Sequence, residues 1–390
     1  MPLSKNKRVK TPTESEVNLW VIENVPGGEL EVFKYFSSIF DSKIHFFWNH
    51  SLMAPSDKPS RNFCLKKLIG FIDRFDSDFF KKIYKVIFKY FLIRFLNLNA
   101  DTSLVSSSYI PIPKGCNIFA YIHTTPRFLN IDKGEFMAEN NLNSKSKKLI
   151  FSVFARLFKI NYAASLHNAK IILCNSKVVK ERLDKFFNVS AEVLYFPLNY
   201  EIYQQKKYDN FFLCCSRVNR IKRQDFVLRA FELFYETDKD FSLTYVSPIP
   251  SRKSELEYLE KLKAYAVEKS LPVSFLIGLS REKVIDQFSN CFATLFAAKN
   301  EDFGLVLLES LASGKPVISV NEGGPIEILE QGLTGFLVNS EVEMAQKMTF
   351  LANNREFTVN MGERGKKYVK ENFGEEAFLK RMKDIFKKYQ

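Results

Sequence analysis

The chain has 390 residues, 46% of them hydrophobic and 26% charged, which excludes a disordered chain and favours a soluble globular protein. A chain of this length is too long for a single hydrophobic core of ordinary size, so two domains of roughly 150–200 residues are expected. The net charge is +13, and nearly all of the excess lies in residues 1–200, with 29 Lys and Arg against 17 Asp and Glu. This asymmetry predicts an anionic partner for the N-terminal half: a phospholipid surface, a diphospho-lipid or nucleic acid.

The first residues and the cysteines bear on the compartment. Residues 1–17 carry basic side chains but no apolar core of a secretory signal, so we expect a flexible tail. We find no run of about 18 uncharged apolar residues. Cys214 and Cys215 lie in an apolar run, which predicts buried, reduced thiols and no structural zinc. We therefore expect a cytoplasmic protein that acts in the cytosol or peripherally on the inner face of a membrane.

Short apolar runs alternate with helical patterns along the chain, which predicts an α/β fold with parallel sheets. Strands are predicted at 18–22, 43–48, 117–122, 171–174 and 192–196 in the first half, and at 211–218, 242–247, 273–277, 292–296 and 316–320 in the second. Amphipathic patterns predict helices at about 61–96 and 145–167 and from about 342 onward. The polar residues 198–209 are interpreted as a linker between domains at 18–197 and 210–373, followed by a C-terminal helix at 374–390.

The most informative segment is residues 299–339, KNEDFGLVLLESLASGKPVISVNEGGPIEILEQGLTGFLVN. Phe303 and Gly304 end a loop, and the spacing that begins at Leu305 predicts a helix whose free N–H groups could bind an anion. Glu301 precedes this helix and Glu309 lies one turn after Leu305, so both carboxylates could face one pocket. Carboxylates beside an anion site suit the hydroxyl groups of a sugar or ribose, which donate hydrogen bonds.

A second element, SRVNRIKRQDF, follows the predicted strand at 211–218 and contains Arg217 and Lys222. Two cations at the carboxyl end of a strand can clamp a diphosphate and stabilise it as it departs.

These two segments resemble glycosyltransferases of the two-Rossmann-domain type, GT-B, and within them the large retaining family 4. The matching elements are Glu301-x7-Glu309 with E-D-F-G in front, G-K-P-V-I-S, G-G-P-x-E, T-G-F-L-V, and the S-R-V-x-x-x-K element upstream. The resemblance implies two Rossmann-like domains facing each other across a cleft, with the C-terminal helix crossing back to the first domain. It covers residues 160–340 well and the first half only in patches.

The resemblance also implies roles for these residues. Glu301 would contact hydroxyls of the transferred sugar, and Glu309 the ribose. Arg217, Lys222 and the backbone at Phe303, Gly304 and Leu305 would hold the donor diphosphate. No metal or cofactor is expected, because side-chain cations and a helix terminus supply the electrostatic stabilisation.

The first half offers further matches. Gly27 and Gly28 follow the first predicted strand, where glycine lets a backbone approach a donor closely. His123 and Arg127 lie in YIHTTPRFLN, which resembles a segment of bacterial mannosyltransferases of O-antigen and capsule assembly. There the histidine lies near the reacting sugar, and Arg127 is interpreted as a cation on the acceptor side.

Two departures concern the nucleotide. Val246-Ser247-Pro248 stands where the family has a G-x-G-P turn, and Gly278-Leu279-Ser280 stands at the base-contacting loop without identifying the base. We expect transfer of a hexose, with GDP-mannose favoured, to a lipid-linked or growing saccharide with retention of configuration. UDP-GlcNAc, UDP-glucose or UDP-galactose as donor stays open, as does a degenerate, non-catalytic scaffold.

The basic stretch 61–94 holds nine Lys and Arg against three Asp, interleaved with aromatic and aliphatic residues. This pattern fits an amphipathic helix on an anionic membrane surface, and equally a core helix with a solvated basic face. It contains no recognised nucleic-acid-binding motif, so nucleic acid is not expected as a partner.

Overall fold

The protein is described here from a computed structural model that covers residues 144–389 and 118–130 continuously. Of the remaining residues it describes 112, 134, 137 and 142 and the strand segments 17–21, 44–46, 97–98, 102–106 and 114–115. The glycine pair Gly27–Gly28 and the basic stretch 61–94, both singled out above, lie outside the described residues.

The chain divides into two compact units. Unit 1 comprises Met1–Asn175 and Val179–Val193, and unit 2 comprises Ser176–Val178 and Leu194–Gln390. Residues 198–209, interpreted above as a linker, lie in unit 2 and pack on it. Tyr203 is buried, and the N–H groups of Lys206 and Asp209 donate to the carbonyls of Ser289 and Asn290 at 3.0 and 2.9 Å.

Unit 1 is built on a parallel sheet of six strands in the order β2-β1-β4-β6-β7-β8. These strands are β1 Val17–Val21, β2 Ile44–Phe46, β4 Thr102–Ser106, β6 Ile118–Ile122, β7 Ile171–Cys174 and β8 Glu192–Val193. A separate two-stranded pair joins β3 Asn97–Leu98 to β5 Lys114–Gly115. Three described helices follow, α1 Arg127–Asn130, α2 Lys145–Leu166 and α3 Lys177–Phe187. The buried face of α2 packs in one core cluster with residues of β6 and β7.

Unit 2 contains a second parallel sheet of six strands in the order β11-β10-β9-β12-β13-β14. Its strands are β9 Phe211–Cys215, β10 Ser242–Ser247, β11 Val273–Ile277, β12 Ala293–Phe296, β13 Val317–Val320 and β14 Gly335–Val338. Its helices are α4 Gln224–Tyr235, α5 Lys253–Glu268, α6 Arg281–Asn290, α7 Leu305–Ala312, α8 Pro325–Ile328, α9 Glu341–Asn353, α10 Arg355–Phe373 and α11 Glu375–Tyr389. Counted along the chain, the strand order is 3-2-1-4-5-6, the doubly wound order of a Rossmann domain.

The core of unit 2 is rich in phenylalanine. Phe212 on β9 contacts Phe234, Phe241 and Phe292 with ring centroids 5.2–5.8 Å apart, within one core cluster that joins α4 to the sheet. Such edge-to-face and offset pairs stabilise a core beyond the area they bury. This cluster sits beneath β9 and therefore fixes the strand whose carboxyl end carries Arg217.

The predicted burial of the two adjacent cysteines is confirmed in part. Cys214 is buried and Cys215 half-buried, and both thiols are free. Burial raises the pKa of Cys214 to about 12, so the thiol stays protonated and unreactive. Within the described residues, no group of three or more His, Cys, Asp or Glu side chains could hold a metal ion.

Candidate functional site

The two sequence elements meet at the point where the strand order of unit 2 reverses. β9 lies between β10 and β12, and the register pairs Phe212 with Ala293 and Leu213 with Thr294. Loop 216–223 follows the carboxyl end of β9, and loop 297–304 follows that of β12. In open α/β sheets the crevice at such a reversal is where ligands bind, so the topology itself predicts a site here.

A charge pair joins the two loops. Lys222 Nζ lies 2.5 Å from Glu301 Oε2, and the N–H of Lys299 donates to the Ile221 carbonyl at 2.8 Å. The Asn219 side chain accepts from the Lys222 N–H at 3.0 Å, which fixes the short 3-10 turn that carries the lysine. The structure therefore brings Lys222 and Glu301 together, 79 residues apart in sequence.

Arg217 stands apart from this pair. Its side chain is exposed and forms no ion pair within the described residues, whereas its carbonyl accepts from Gln224 Nε2 at 2.8 Å. The next N–H, that of Val218, donates to Ser247 Oγ at 3.1 Å. Ser247 therefore braces the Arg217 loop from the segment in which this chain departs from the family's glycine turn.

The Gly323–Gly324 pair supports the loop that carries Glu301. A Cβ on Gly323, whose φ is +70°, would lie 2.5 Å from the Glu301 carbonyl oxygen, and one on Gly324 would overlap the Phe303 carbonyl. The Gly324 N–H donates to the Glu301 carbonyl at 2.9 Å. Only glycine permits this approach of two backbones, which gives the G-G-P element a structural reason.

Glu322 is a site residue that sequence reasoning missed. Its Oε1 pairs with the Arg223 guanidinium at 2.6 Å and accepts from the Asn300 N–H at 3.2 Å. Arg223 and Asn300 both adopt a left-handed backbone, with φ of +48° and +50°. One carboxylate thus holds a strained residue in each of the two loops. The signal available in the sequence was an acidic residue directly before the glycine pair.

Helix α7 begins at this site. Gly304 precedes it with φ of +101°, and among the described residues no side chain caps the start of the helix. Phe303 is buried and stacks on Tyr195, with ring centroids 5.8 Å apart, so its contribution to a ligand would come from its backbone. A helix terminus with uncapped N–H groups attracts a phosphate or carboxylate.

Glu309 lies on α7 with only 9% of its surface exposed, and it is held by two partners. Its Oε1 lies 2.5 Å from the Arg281 guanidinium and accepts from the Tyr203 hydroxyl at 3.0 Å. Burial, together with the charge of Glu309, raises the pKa of Tyr203 above its ordinary value, so the phenol remains a donor. Sequence reasoning missed both partners, although Arg281 directly follows the predicted base-contacting loop.

His123 and Arg127 belong to unit 1. His123 follows the carboxyl end of β6, and its ring meets that of Tyr121 edge-on with centroids 4.8 Å apart. Arg127 is the first residue of the short helix α1, and both side chains are half-buried. The two residues therefore share one sheet edge, and their predicted roles stay predictions.

Comparison with known proteins bears on unit 2 first. The family model described as glycosyl transferases group 1 matches residues 198–368, the segment that holds both loops and helix α7. This segment is similar to the glycosyl transferases group 1 family.

Relatives of known name extend the comparison. The chain is 31% identical over 191 residues to an alpha-1,3/1,6-mannosyltransferase ALG2 of Dictyostelium discoideum, covering 46% of each protein. It is 29% identical over 239 residues to the human ALG2, covering 55% of this chain and 57% of that one. The chain thus spans about half the length of the curated relatives it matches.

The fold extends beyond the matched domain. The structure resembles that of Anabaena Alr3699/HepE in complex with UDP and glucose, with a TM-score of 0.63 and 14% identity over 96% of this chain and 99% of that one. At this identity the likeness shows the fold alone. The predicted α/β fold of the GT-B glycosyltransferases, with two parallel sheets, is thereby confirmed.

Proposed function

We propose that this protein is a retaining mannosyltransferase that moves mannose from a nucleoside-diphosphate sugar, GDP-mannose favoured, to a lipid-linked or growing saccharide. The glycosyltransferase group 1 domain and the names of the ALG2 relatives support transfer of a mannosyl unit. The observation that carries the proposal is the Lys222–Glu301 pair at the strand-order reversal, beside the uncapped start of α7. The cation and the helix terminus would bind the diphosphate of a glycosyl diphosphate, and the carboxylate would accept hydrogen bonds from its sugar hydroxyls.

The diphosphate would bind at the start of α7 and form ion pairs with the basic side chains of loop 216–223. Without donor, the Lys222 ammonium is balanced by Glu301. A diphosphate entering beside Lys222 would take over part of that pairing, so that Glu301 could accept hydrogen bonds from sugar hydroxyls. Arg217, exposed on the same loop, would close on the departing phosphate and stabilise the negative charge that develops as the glycosidic bond breaks.

The ribose would bind at Glu309. Arg281 and Tyr203 both contact Oε1, so they orient the carboxylate. A ribose hydroxyl would donate a hydrogen bond to Oε2 of Glu309, since both described contacts of this carboxylate are made by Oε1. Arg281 is then a positioning residue that acts on the nucleoside through Glu309.

The remaining assignments concern the acceptor. His123 and Arg127, at the carboxyl edge of the unit 1 sheet, are proposed to lie near the acceptor and the transferred sugar. Retention would follow if the leaving phosphate helps to deprotonate the acceptor hydroxyl, with no side-chain nucleophile and no metal. A lipid-linked acceptor would place the protein peripherally on the cytoplasmic face of a membrane.

A two-step experiment tests the proposal. Thermal shift with GDP, UDP, ADP, CMP and dTDP should give selective stabilisation by GDP, which increases with GDP-mannose. Radiolabelled transfer to a lipid-linked oligosaccharide should then be lost in Glu301→Gln and retained in Glu232→Gln, a matched control whose carboxylate pairs with Lys269 on the surface of unit 2. Selective stabilisation by UDP would redirect the donor assignment to UDP-sugars, and the absence of any shift would point to a non-catalytic scaffold.

A further inference from the structure

Helix α2 of unit 1 exposes an apolar face that the described fold leaves open. Its other face is fixed in the core, where the buried ring of Phe158 stacks on that of Tyr162 at 5.9 Å and Tyr162 meets Phe187 edge-on at 5.1 Å. Five large apolar side chains of the same helix have between 45% and 66% of their surface exposed: Leu149, Ile150, Val153, Leu157 and Ile160. Scattered apolar side chains are ordinary on a surface, but a continuous row on one helix is not.

The five side chains form a single stripe. At about 100° per residue they fall within an arc of about 100°, on the side of the helix away from Phe151, Phe158 and Tyr162. From Leu149 to Ile160 the stripe is about 16 Å long at 1.5 Å per residue. The spacing that buries one face of α2 therefore produces a second apolar face opposite the first.

The charges of α2 are all of one sign. The helix contains five basic residues, Lys145, Lys147, Lys148, Arg156 and Lys159, and no acidic residue. By the same arithmetic, Lys145, Lys148, Arg156 and Lys159 lie in the arc between the buried face and the apolar stripe. An apolar stripe with cations along its edge is the pattern of a helix that lies in the headgroup region of an anionic bilayer.

Length and composition would also allow α2 to cross a membrane, and it is the one described helix with that property. Its packing argues against a crossing. Phe151, Phe158 and Tyr162 are at most 5% exposed within the unit 1 core, so insertion across a bilayer would dismantle that core. The helix can instead lie parallel to the membrane with its buried face kept in the protein and its stripe in the lipid.

We infer that α2 is a membrane-docking surface, which binds an anionic bilayer through its exposed apolar stripe and the basic residues beside it. The inference rests on the proposed function only in its purpose: docking would bring the enzyme to a lipid-linked acceptor. It differs from the expectation for residues 61–94, because it assigns the contact to a helix whose exposed face the structure describes. Charge complementarity selects the occupant, since a second copy of this cationic stripe would be repelled by the first.

The experiment is co-sedimentation of the full chain with vesicles of phosphatidylcholine alone or with one quarter phosphatidylglycerol. The wild-type protein should bind the anionic vesicles, should not bind the neutral ones, and should be released by 0.5 M NaCl, where the Debye length falls to roughly 4–5 Å. The triple variant Leu149→Gln/Val153→Gln/Leu157→Gln should bind at least tenfold more weakly. The matched control Ile249→Gln/Val267→Gln removes two exposed apolar side chains from unit 2 and should bind as the wild type does.

A second variant keeps the test independent of folding. Lys145→Gln/Lys148→Gln/Arg156→Gln leaves the apolar stripe intact and should weaken binding to anionic vesicles to a similar degree. Unchanged binding of both α2 variants would overturn the inference, as would loss of binding only on charge reversal at Lys81, Lys82 and Lys85. A wild-type dimer dissociated by the triple variant, with vesicle binding unchanged, would instead identify the stripe as a contact between copies and overturn it.

Failure of this inference is separable from failure of the proposed function. Transfer to a water-soluble acceptor should proceed equally in the wild type and in both α2 variants, because none of the substituted residues lies in the donor domain. Vesicle binding without transfer to any acceptor would refute the enzyme while leaving the docking surface standing.

Discussion

Lys315 offers a quantitative test of how unit 2 is held together. It belongs to the G-K-P element, yet its side chain is fully buried. Its ammonium donates to the Lys207 carbonyl and lies 3.5 Å from the centroid of the Tyr208 ring. Burial lowers the pKa of Lys315 to about 8, against the partial opposing effect of the neighbouring Cys291 and Asp209 side chains. Lys315 therefore holds residues 206–209 against the rest of unit 2.

The lowered pKa makes stability depend on pH with a definite sign. Unfolded lysine has a pKa of about 10.4, so between roughly pH 8 and 10.4 the unfolded chain binds more protons at this position than the folded chain does. Stability then rises with pH in this window. With a folded pKa of about 8, the contribution changes by about 1.4 kcal/mol between pH 7 and pH 9. The penalty for burying the ammonium is complete below pH 8 and fades above it.

The assay is urea unfolding of the wild type and of Lys315→Met at pH 7, 8 and 9, followed by far-UV circular dichroism. The difference in unfolding free energy, wild type minus variant, should rise by about 1.4 kcal/mol across this range. The exposed Lys253 supplies the control, since Lys253→Met should show no such change with pH. Both tryptophans, Trp20 and Trp48, lie in unit 1, so their fluorescence follows that unit separately. If the unfolding free energies of the wild type and of Lys315→Met changed in parallel with pH, the lowered pKa of the buried Lys315 would be refuted.

Three further predictions concern the proposed donor site. Arg217→Ala should lower turnover on the order of 10²–10³-fold, because it removes a donor to the departing phosphate, while Arg220→Ala on the same loop should change it little. A near-wild-type rate in Arg217→Ala would exclude this role. Gly324→Ala should reduce the nucleotide affinity measured by calorimetry and lower the melting temperature, because the new Cβ would overlap the Phe303 carbonyl. The control is Gly134→Ala, since Gly134 has open space around it. Equal effects of the two substitutions would contradict this reasoning. Glu309→Ala should weaken binding of the whole nucleotide but not of inorganic diphosphate, and equal loss for both would remove the ribose assignment.

Sequence patterns located most of the strands because buried parallel strands are short apolar runs between turns. The prediction matched β7, β10 and β11 residue for residue, and β9 ended three residues earlier than expected. β4, Thr102–Ser106, was missed because only two of its five residues, Leu104 and Val105, are large and apolar. Its place in the sheet depends on pairing with β1 and β6, which no local pattern records.

The residues of the candidate site likewise divide into those that a local sequence pattern identifies and those that only long-range packing brings to the site. Residues that approach a ligand through one loop or one helix, such as Glu301 and Gly304, were identified from a local pattern. Tyr203 was not, because it reaches Glu309 across 106 residues of sequence through packing of the supposed linker. The exposed stripe of α2 was equally hidden, since periodicity predicts a helix without saying which of two apolar faces becomes the core.

The mutual bracing of loop 216–223, loop 297–304 and the segment around Gly323 has a consequence for engineering. Glu322 contacts both loops, and the glycine pair packs on the backbone of one of them. Grafting one loop from a known glycosyltransferase would leave Glu322 without its partner in that loop, and grafting the segment around Gly323 would leave Arg223 and Asn300 in a left-handed conformation without their shared carboxylate. The exchangeable part is therefore three discontinuous segments moved together, and libraries that vary them jointly should yield far more folded chimeras than libraries that vary any one alone.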